Sequence, residues 1–549
     1  MIIWGGNKTM IKKRKLISVV LSVIMVLTIL AACGNNGANN TTVNNVENNQ
    51  QTPAPDDATP TNTEDAKGSL ASEEPIELSI HLIVDGIPYN DDWAAFKKIA
   101  ELTNVSLKGS VSKNVTDTKE IFNLMMATND LSDIVRSSKV NFDKFGAEGA
   151  FVPLNELIDE HAPNLKAFLE EHPDVRKIAT AADGNMYYVP FTPDGAAATG
   201  WFLRNDWLEA VGMETPKTVD DYHAVLTAFK EKDPNKNGKA DEIPYFHGAT
   251  GFGIYFLLSL WDAKNDFYID GEEVKYGPLD PSYKEGMANL SQWYAEGLID
   301  KEIFTRGGSA RETLLTDNIG GSTHDWFGST AGFNNTLADQ IPGFEFAPIA
   351  PPASTSGLVA EYDFRPSVRD VGWGISSSNP NPIETIKYFD FFLSEEGRRI
   401  MNFGVEGETY TMVDGKPTFT EEILSASNVV STLKKDYGVQ VEIGFHQNFD
   451  YELQWMNPIA KIGVEEYINN GYIVKTRLPN MALTVDEQAR IKELTGPINT
   501  FREETGQKWV LGAEKVDAGY NKFVEQLKQM NIEELLTLYN EAYQRYLSQ

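Results

Sequence analysis

Between Ile76 and Val135 the apolar residues switch between two spacings, and this switch limits the fold more than any other feature of the chain. Ile76, Leu78, Ile80, Leu82 and Val84 alternate at period two, the pattern of a strand with one buried face. Trp93, Phe96 and Ile99 then recur at helical spacing, and a second alternating run follows from Val105 to Val111. A further helix pattern spans Glu120 to Thr128, and Asp133-Ile134-Val135 reads as a short buried strand. Strands and helices in alternation predict α/β architecture. Farther on, helix patterns prevail at Ser282–Ala295, Pro382–Phe392, Val485–Glu504 and Asn531–Leu547, so the fold is expected to be helix-rich, with no repeat at a fixed period.

A chain of 549 residues, 41% of them hydrophobic, is long enough for two or more lobes with cores of their own. Its 48 basic and 79 acidic residues give a formal charge of −31, which repels a phosphate backbone and predicts no nucleic-acid partner. One cysteine leaves no internal disulfide framework and no Cys-rich zinc or iron–sulfur site. The seven histidines form no H-E-x-x-H cluster, which speaks against a zinc hydrolase.

Lys8, Lys12, Lys13, Arg14 and Lys15 precede an uncharged apolar run from Leu16 to Leu30, followed by small residues. This reads as a signal peptide over residues 1–32, its run too short to span a bilayer. Met1 and Met10 both fit as initiator. Leu30-Ala31-Ala32-Cys33-Gly34 resembles the lipobox of bacterial lipoproteins, in which the cysteine takes a diacylglycerol on its sulfur and becomes the new N-terminus. Cys33, the sole cysteine, is thus the expected anchor, and acyl chains such as palmitate would hold the protein on the membrane. Cleavage removes five positive charges and no negative one, taking the formal charge from −31 to −36. Gly34 to Pro75, rich in Asn, Thr, Pro, Asp and Glu and without an aromatic residue, is expected to be a disordered tether with a reach of about 35 Å.

Asp233-Pro234-Asn235-Lys236-Asn237-Gly238-Lys239-Ala240-Asp241-Glu242 sets oxygen-bearing side chains at loop positions 1, 3, 5 and 9, glycine at 6 and a backbone carbonyl at 7. That arrangement lets one turn of chain gather the oxygens a hard cation needs, and calcium is the cation expected. Pro244 at position 12 departs from the EF-hand, whose bidentate glutamate sits there; Glu242 offers a carboxylate nearby. The alternative is a solvated, Asx-rich turn.

Laid in order, LMMATNDLSDIV (124–135), GAFVPLNELIDEHAPN (149–164), YYVPF (187–191), WFLRNDWLEAVGMETPKTVDDY (201–222), DPNKNGKADEIP (233–244), YAEGLID (294–300), WGISSSNPNPIETIKYFDFFLSEEG (373–397), NFGVEGETY (402–410) and NEAYQRY (540–546) resemble the extracellular solute-binding lipoproteins of carbohydrate ABC importers. The likeness is to the large Gram-positive branch, similar to alginate-oligosaccharide-binding proteins, and covers residues 76 to 549. It implies a two-lobed periplasmic-binding-protein-like fold of type II, with hinge-linked lobes closing on a ligand between them. The N-terminal lobe is expected from 76–190 plus about 365–410, and the C-terminal lobe from about 191–364 plus 411–549. The resemblance also implies a structural calcium site, with Asp233, Asn235, Asn237, Asp241, Glu242 and the Lys239 carbonyl as ligands. It implies a monomer serving ABC permease transmembrane subunits at the extracellular face of the cell membrane.

Sugars lay apolar C–H faces on aromatic rings and present hydroxyl edges to polar side chains. Trp326, after the small and polar stretch Gly320 to Asp325, and Trp455, in similarly polar company, are the expected stacking platforms, as their family positions also imply. Trp261 and Trp373 are secondary candidates, and Tyr188 and Arg204, flanking the expected first hinge, are candidate hydrogen-bonding residues. Trp93, Trp207, Trp293 and Trp509 sit on helical patterns and are assigned to the core. Overall acidity favours a neutral oligosaccharide over uronate chains unless a local basic patch forms.

The leading reading is a binding component of an importer, capturing an oligosaccharide by lobe closure, without catalysis. Two others stay open. A lipid-anchored polysaccharide-degrading enzyme would need a carboxylate pair, which 79 acidic residues always allow. A binding protein for peptides or another solute would differ only in its cleft.

Overall fold

The alternation at Ile76 builds the first strand of a five-stranded sheet, and two main sheets organise the chain. A computed structural model describes residues 70–112, 118–195, 197–248, 253–362, 365–426 and 428–548. The signal peptide, Cys33 and nearly all of the tether lie outside the described residues. The strands of the main sheets are β1 (Ile76–His81), β2 (Val105–Gly109), β3 (Ile134–Ser138), β4 (Val189–Pro190), β5 (Thr199–Arg204), β6 (Ile243–Tyr245), β7 (Gly320–Trp326), β8 (Phe346–Ile349) and β9 (Val371–Ile375).

The first sheet has the order β2-β1-β3-β9-β4. β1 runs parallel to β2 and β3, with Ile80 opposite Ile134, and β9 returns antiparallel with Trp373 opposite Arg136. Helix α1 (Ala94–Thr103) makes the crossover from β1 to β2, burying Phe96 and Ile99, and ends at Asn104 in the left-handed region. The period-two run does not form one strand. Beyond His81 it folds into a short hairpin, Ile83–Val84 against Ile87–Pro88, because Asp85 and Gly86 both take positive φ (52° and 78°), as a tight primed turn requires.

The second sheet has the order β8-β5-β7-β6, with β5 antiparallel to both β7 and β8 and β6 parallel to β7. The expected helices appear at Pro281–Glu296, Pro382–Phe391, Val485–Val510 and Ile532–Ser548. The third starts at a capping box in which the Thr484 side chain and the Glu487 backbone and side chain satisfy each other.

Each sheet has its own core. The core of the first holds Ile80, Ile134, Trp373 and Phe392. The second sheet packs on two clusters, one around Trp207, Tyr222, Leu290 and Trp509, the other around Phe202, Phe327 and Phe346. Among the described residues the chain passes between the first core and the others near 191–197, 349–368 and 451–456. Packing departs from the expected boundary at residue 410. Phe419, Leu433, Val441 and Tyr451 are buried in the first core, because the segment folds back over the first sheet before crossing. Among the described residues no helix is long and apolar enough to cross a membrane.

Candidate functional site

Between the two sheets lies a cavity of about 540 Å³, lined from the first core by Phe191 and Tyr451 and from the second sheet's side by Trp326, Gly328 and Ser329. Trp326 ends β7, 39% exposed. Its backbone N–H donates to Asp325 Oδ1 (2.8 Å), and Asp325 Oδ2 meets Arg311 Nη1 at 2.9 Å, so the turn that presents the indole is fixed by a shielded ion pair. One residue earlier, His324 Nε2 lies 2.9 Å and 3.0 Å from the two oxygens of Glu361, which also accepts from Thr199 Oγ1. Trp455 closes a short helix, Asp450–Trp455, and packs partly on the first core.

The cavity wall is strongly charged. Arg365 donates to Glu452 (2.8 Å and 3.1 Å) and to the Asp194 carbonyl (2.6 Å), and its guanidinium lies 5.4 Å from the Phe449 ring centre. It thereby joins all three stretches of chain that pass between the cores. Burial pushes the Glu452 carboxyl above the usual range, and Arg365 pulls it back. Glu442 gathers Arg136 (3.6 Å), Arg369 (3.4 Å) and Lys434 (3.5 Å). Gln447 donates to Gln440 (2.8 Å), and Gln440 to Asn402 (3.0 Å), leaving amide edges at the wall. Four cationic residues (Arg365, Arg369, Lys434, Arg477) line the cavity against three acidic ones (Asp370, Glu442, Glu452), within a chain of net charge −31. Arg365 is paired with Glu452, and Arg369 and Lys434 with Glu442, so the wall is an ion-paired surface close to charge balance within an acidic chain.

Of the six expected ligand-binding residues, the structure brings Trp326 and Trp455 to this cavity and leaves four elsewhere. Trp261 is buried edge-on against Trp293 (5.0 Å). Trp373 is fully buried, stacked on Phe389 at 4.3 Å. Tyr188 is fully buried and stacked on Phe142. Arg204 is 1% exposed, held by Asp206 (2.6 Å and 2.8 Å) and Asn318 (2.8 Å). Trp261, Trp373 and Arg204 sit on a helix or strands, and Tyr188 just before β4, and all four side chains are buried, which polar neighbours in sequence do not reveal. Trp93, Trp207, Trp293 and Trp509 are buried as expected. Arg369, Lys434, Gln440 and Arg477 were missed, and no local pattern marks them.

The loop from Asp233 to Glu242 is drawn tight by its own side chains. Asp233 accepts from the backbone of Asn237 (3.1 Å) and Gly238 (3.0 Å), and the Asn235 and Asn237 amides donate to Asp241. Lys239 donates its N–H to Asn237 Oδ1 (2.7 Å), and Gly238 takes φ +76°. Both Glu242 oxygens are buried with no hydrogen-bond donor, and burial, with Asp233 and Asp241 nearby, raises its carboxyl above the usual range. Among the described residues no group of three or more His, Cys, Asp or Glu side chains is arranged to hold a metal ion. Asp241 is taken up by the Asn235 and Asn237 amides and Asp233 by backbone N–H groups. The orphaned Glu242 carboxylate nevertheless fits a cation in the loop.

A family model described as bacterial extracellular solute-binding protein matches residues 94–399, and the chain belongs to this family. The crystal structure of the alginate-binding protein AlgQ2 without calcium ion aligns with a TM-score of 0.75 at 40% identity, covering 87% of this chain and 99% of that one. The fructooligosaccharide ABC transporter substrate-binding protein FusA of Streptococcus pneumoniae is 25% identical over 466 residues, 78% of this chain and 83% of that protein. Lipoprotein LipO of Bacillus subtilis is 24% identical over 375 residues, 66% of this chain and 72% of its own. The architecture is thus a helix-rich α/β solute-binding fold of two lobes.

Proposed function

We propose that this protein is the substrate-binding component of an ABC importer, capturing an oligosaccharide between its lobes and passing it to the permease transmembrane subunits. The observation that carries this reading is the pairing of Trp326 and Trp455 with arginine, lysine and amide side chains around one cavity. Flat rings take the apolar faces of sugars, and the charged rim takes their polar edges. The ligand stabilises a closed form because both lobes touch it only when shut. No bond is made or broken in this cycle, and the protein works as a monomer.

Overall charge favours a neutral chain, while the arginine and lysine side chains of the wall give the carboxylate groups of an acidic oligosaccharide partners within the cavity. The relation to a protein described as alginate-binding supports this. Cys33 carries the lipid that holds the chain at the extracellular face of the membrane. Calcium, bound by Asp233, Asn235, Asn237, Asp241 and Glu242 with the Lys239 carbonyl, stiffens its loop and takes no part in ligand chemistry.

The test is a thermal-shift screen of the full chain in detergent with alginate oligosaccharides, fructooligosaccharides and peptides, with and without calcium. A ligand of the native state raises the melting temperature by mass action. A shift with the uronates that is lost in Trp326→Ala supports the reading. A shift with peptides alone would overturn it. A calcium shift absent from Glu242→Ala supports the metal site on its own terms.

A further inference from the structure

We propose that the ligand groove continues past Arg477 and Asn480 into a second compartment, which holds a further unit of a longer linear oligosaccharide. This rests on the oligosaccharide reading above and adds to it a determinant of chain length.

A second cavity of about 290 Å³ shares Pro366, Arg477 and Asn480 with the first as a common wall. Asn480 is fixed there by its bond to the Val368 carbonyl (3.4 Å). The new compartment also lies between the two sides of the molecule. Asp174 and Ile178 come from the helix Pro173–Ala179, which belongs to the first core, and Tyr543 and Tyr546 from the last helix, Ile532–Ser548. The two tyrosine rings are nearly parallel, 13° apart with centres at 6.1 Å, and the Lys177 ammonium stands 5.9 Å from the Tyr546 ring centre. Tyr546 packs against both the first core and the small cluster around Val274 and Met481.

The chemistry repeats that of the main cavity on a smaller scale. An aromatic face, exposed cationic side chains at Lys475 and Arg477 and one carboxylate, Asp174, suit a sugar ring with an anionic substituent. A linear chain leaving the Trp326–Trp455 cavity over the Arg477–Asn480 sill meets this surface next. The length of the bound chain is then set by two compartments and the sill between them.

The test is calorimetric titration of the full chain in detergent with size-fractionated alginate oligosaccharides and fructooligosaccharides, each from two to about six units, on wild type, Lys475→Ala and Tyr546→Ala. Affinity is expected to rise again with length once the main cavity is filled. Both variants are expected to weaken the longest ligand about fivefold and leave the shortest binder unchanged. Lys475 is exposed, so its variant separates lost contact from lost folding. Binding independent of length, or variants that leave every length unchanged or weaken short and long ligands equally, would overturn the extension while the oligosaccharide reading stands. Absence of binding at every length would remove both.

Discussion

Gly328 and Trp455 are in such close contact that a methyl group on the glycine would sit 2.8 Å from Cζ3 of the indole. The ring is rigid and cannot yield as a flexible side-chain end would. Gly328→Ala is therefore expected to push Trp455 out of its place in the cavity wall. Ligand affinity should fall about tenfold while the circular dichroism spectrum is unchanged, as calorimetry and spectroscopy on one sample would show.

The two classes of tryptophan should respond oppositely to truncation. Trp326→Ala removes a ring that is 39% exposed, so affinity falls while the melting temperature holds. Trp373→Ala empties a site in the core that is fully buried and costs about 3–5 kcal/mol of stability by denaturant titration. Equal loss of stability in both would contradict the assignment of Trp326 to the cavity.

Arg365 and Glu452 are nearly buried together, at 10% and 11% side-chain exposure. Arg365→Ala strands the Glu452 carboxylate and is expected to cost about 3–5 kcal/mol. The double change Arg365→Met with Glu452→Leu removes both charges and should recover most of that loss. Chemical denaturation of the three proteins gives the comparison.

Stability should decline in mild acid through two histidines. Burial, with Arg136 nearby, lowers His81 to about 4, and burial, with Arg398 nearby, lowers His446 to about 4, from an ordinary 6.5. A depressed value means that the folded state prefers the neutral ring. The stability tied to that preference is present above about 6.5 and is lost as pH falls from there through about 4. Melting temperatures across that window should slope downward with falling pH, and His446→Gln should flatten the slope.

Much of the architecture was legible because it is written in short-range patterns. The spacing of Trp93, Phe96 and Ile99 marked the buried face near the start of α1, and Asp133-Ile134-Val135 marked the start of β3. Even the hairpin at Asp85-Gly86 carried its signal in the dipeptide, although the period-two run hid it. The Asp233–Glu242 loop carried a local signal of the same kind, since its oxygen-bearing side chains lie within ten residues, and the structure shows them bonded to one another.

The binding cavity was decided otherwise. Sequence determined that the chain has apolar periods for two α/β sheets, a large surplus of acid and tryptophans enough for both cores and a cleft. Sequence pointed to Trp326 and Trp455, but only the tertiary structure decided that Trp261 and Trp373 turn into the cores and that Arg365, Arg369, Lys434 and Arg477 converge at the cavity despite the acidic whole. The physical reason is range. Period and turn chemistry act over a few residues, whereas the Arg136–Glu442 pair joins positions 306 residues apart, and such a contact exists only once the segment around 442 has folded back over the first sheet.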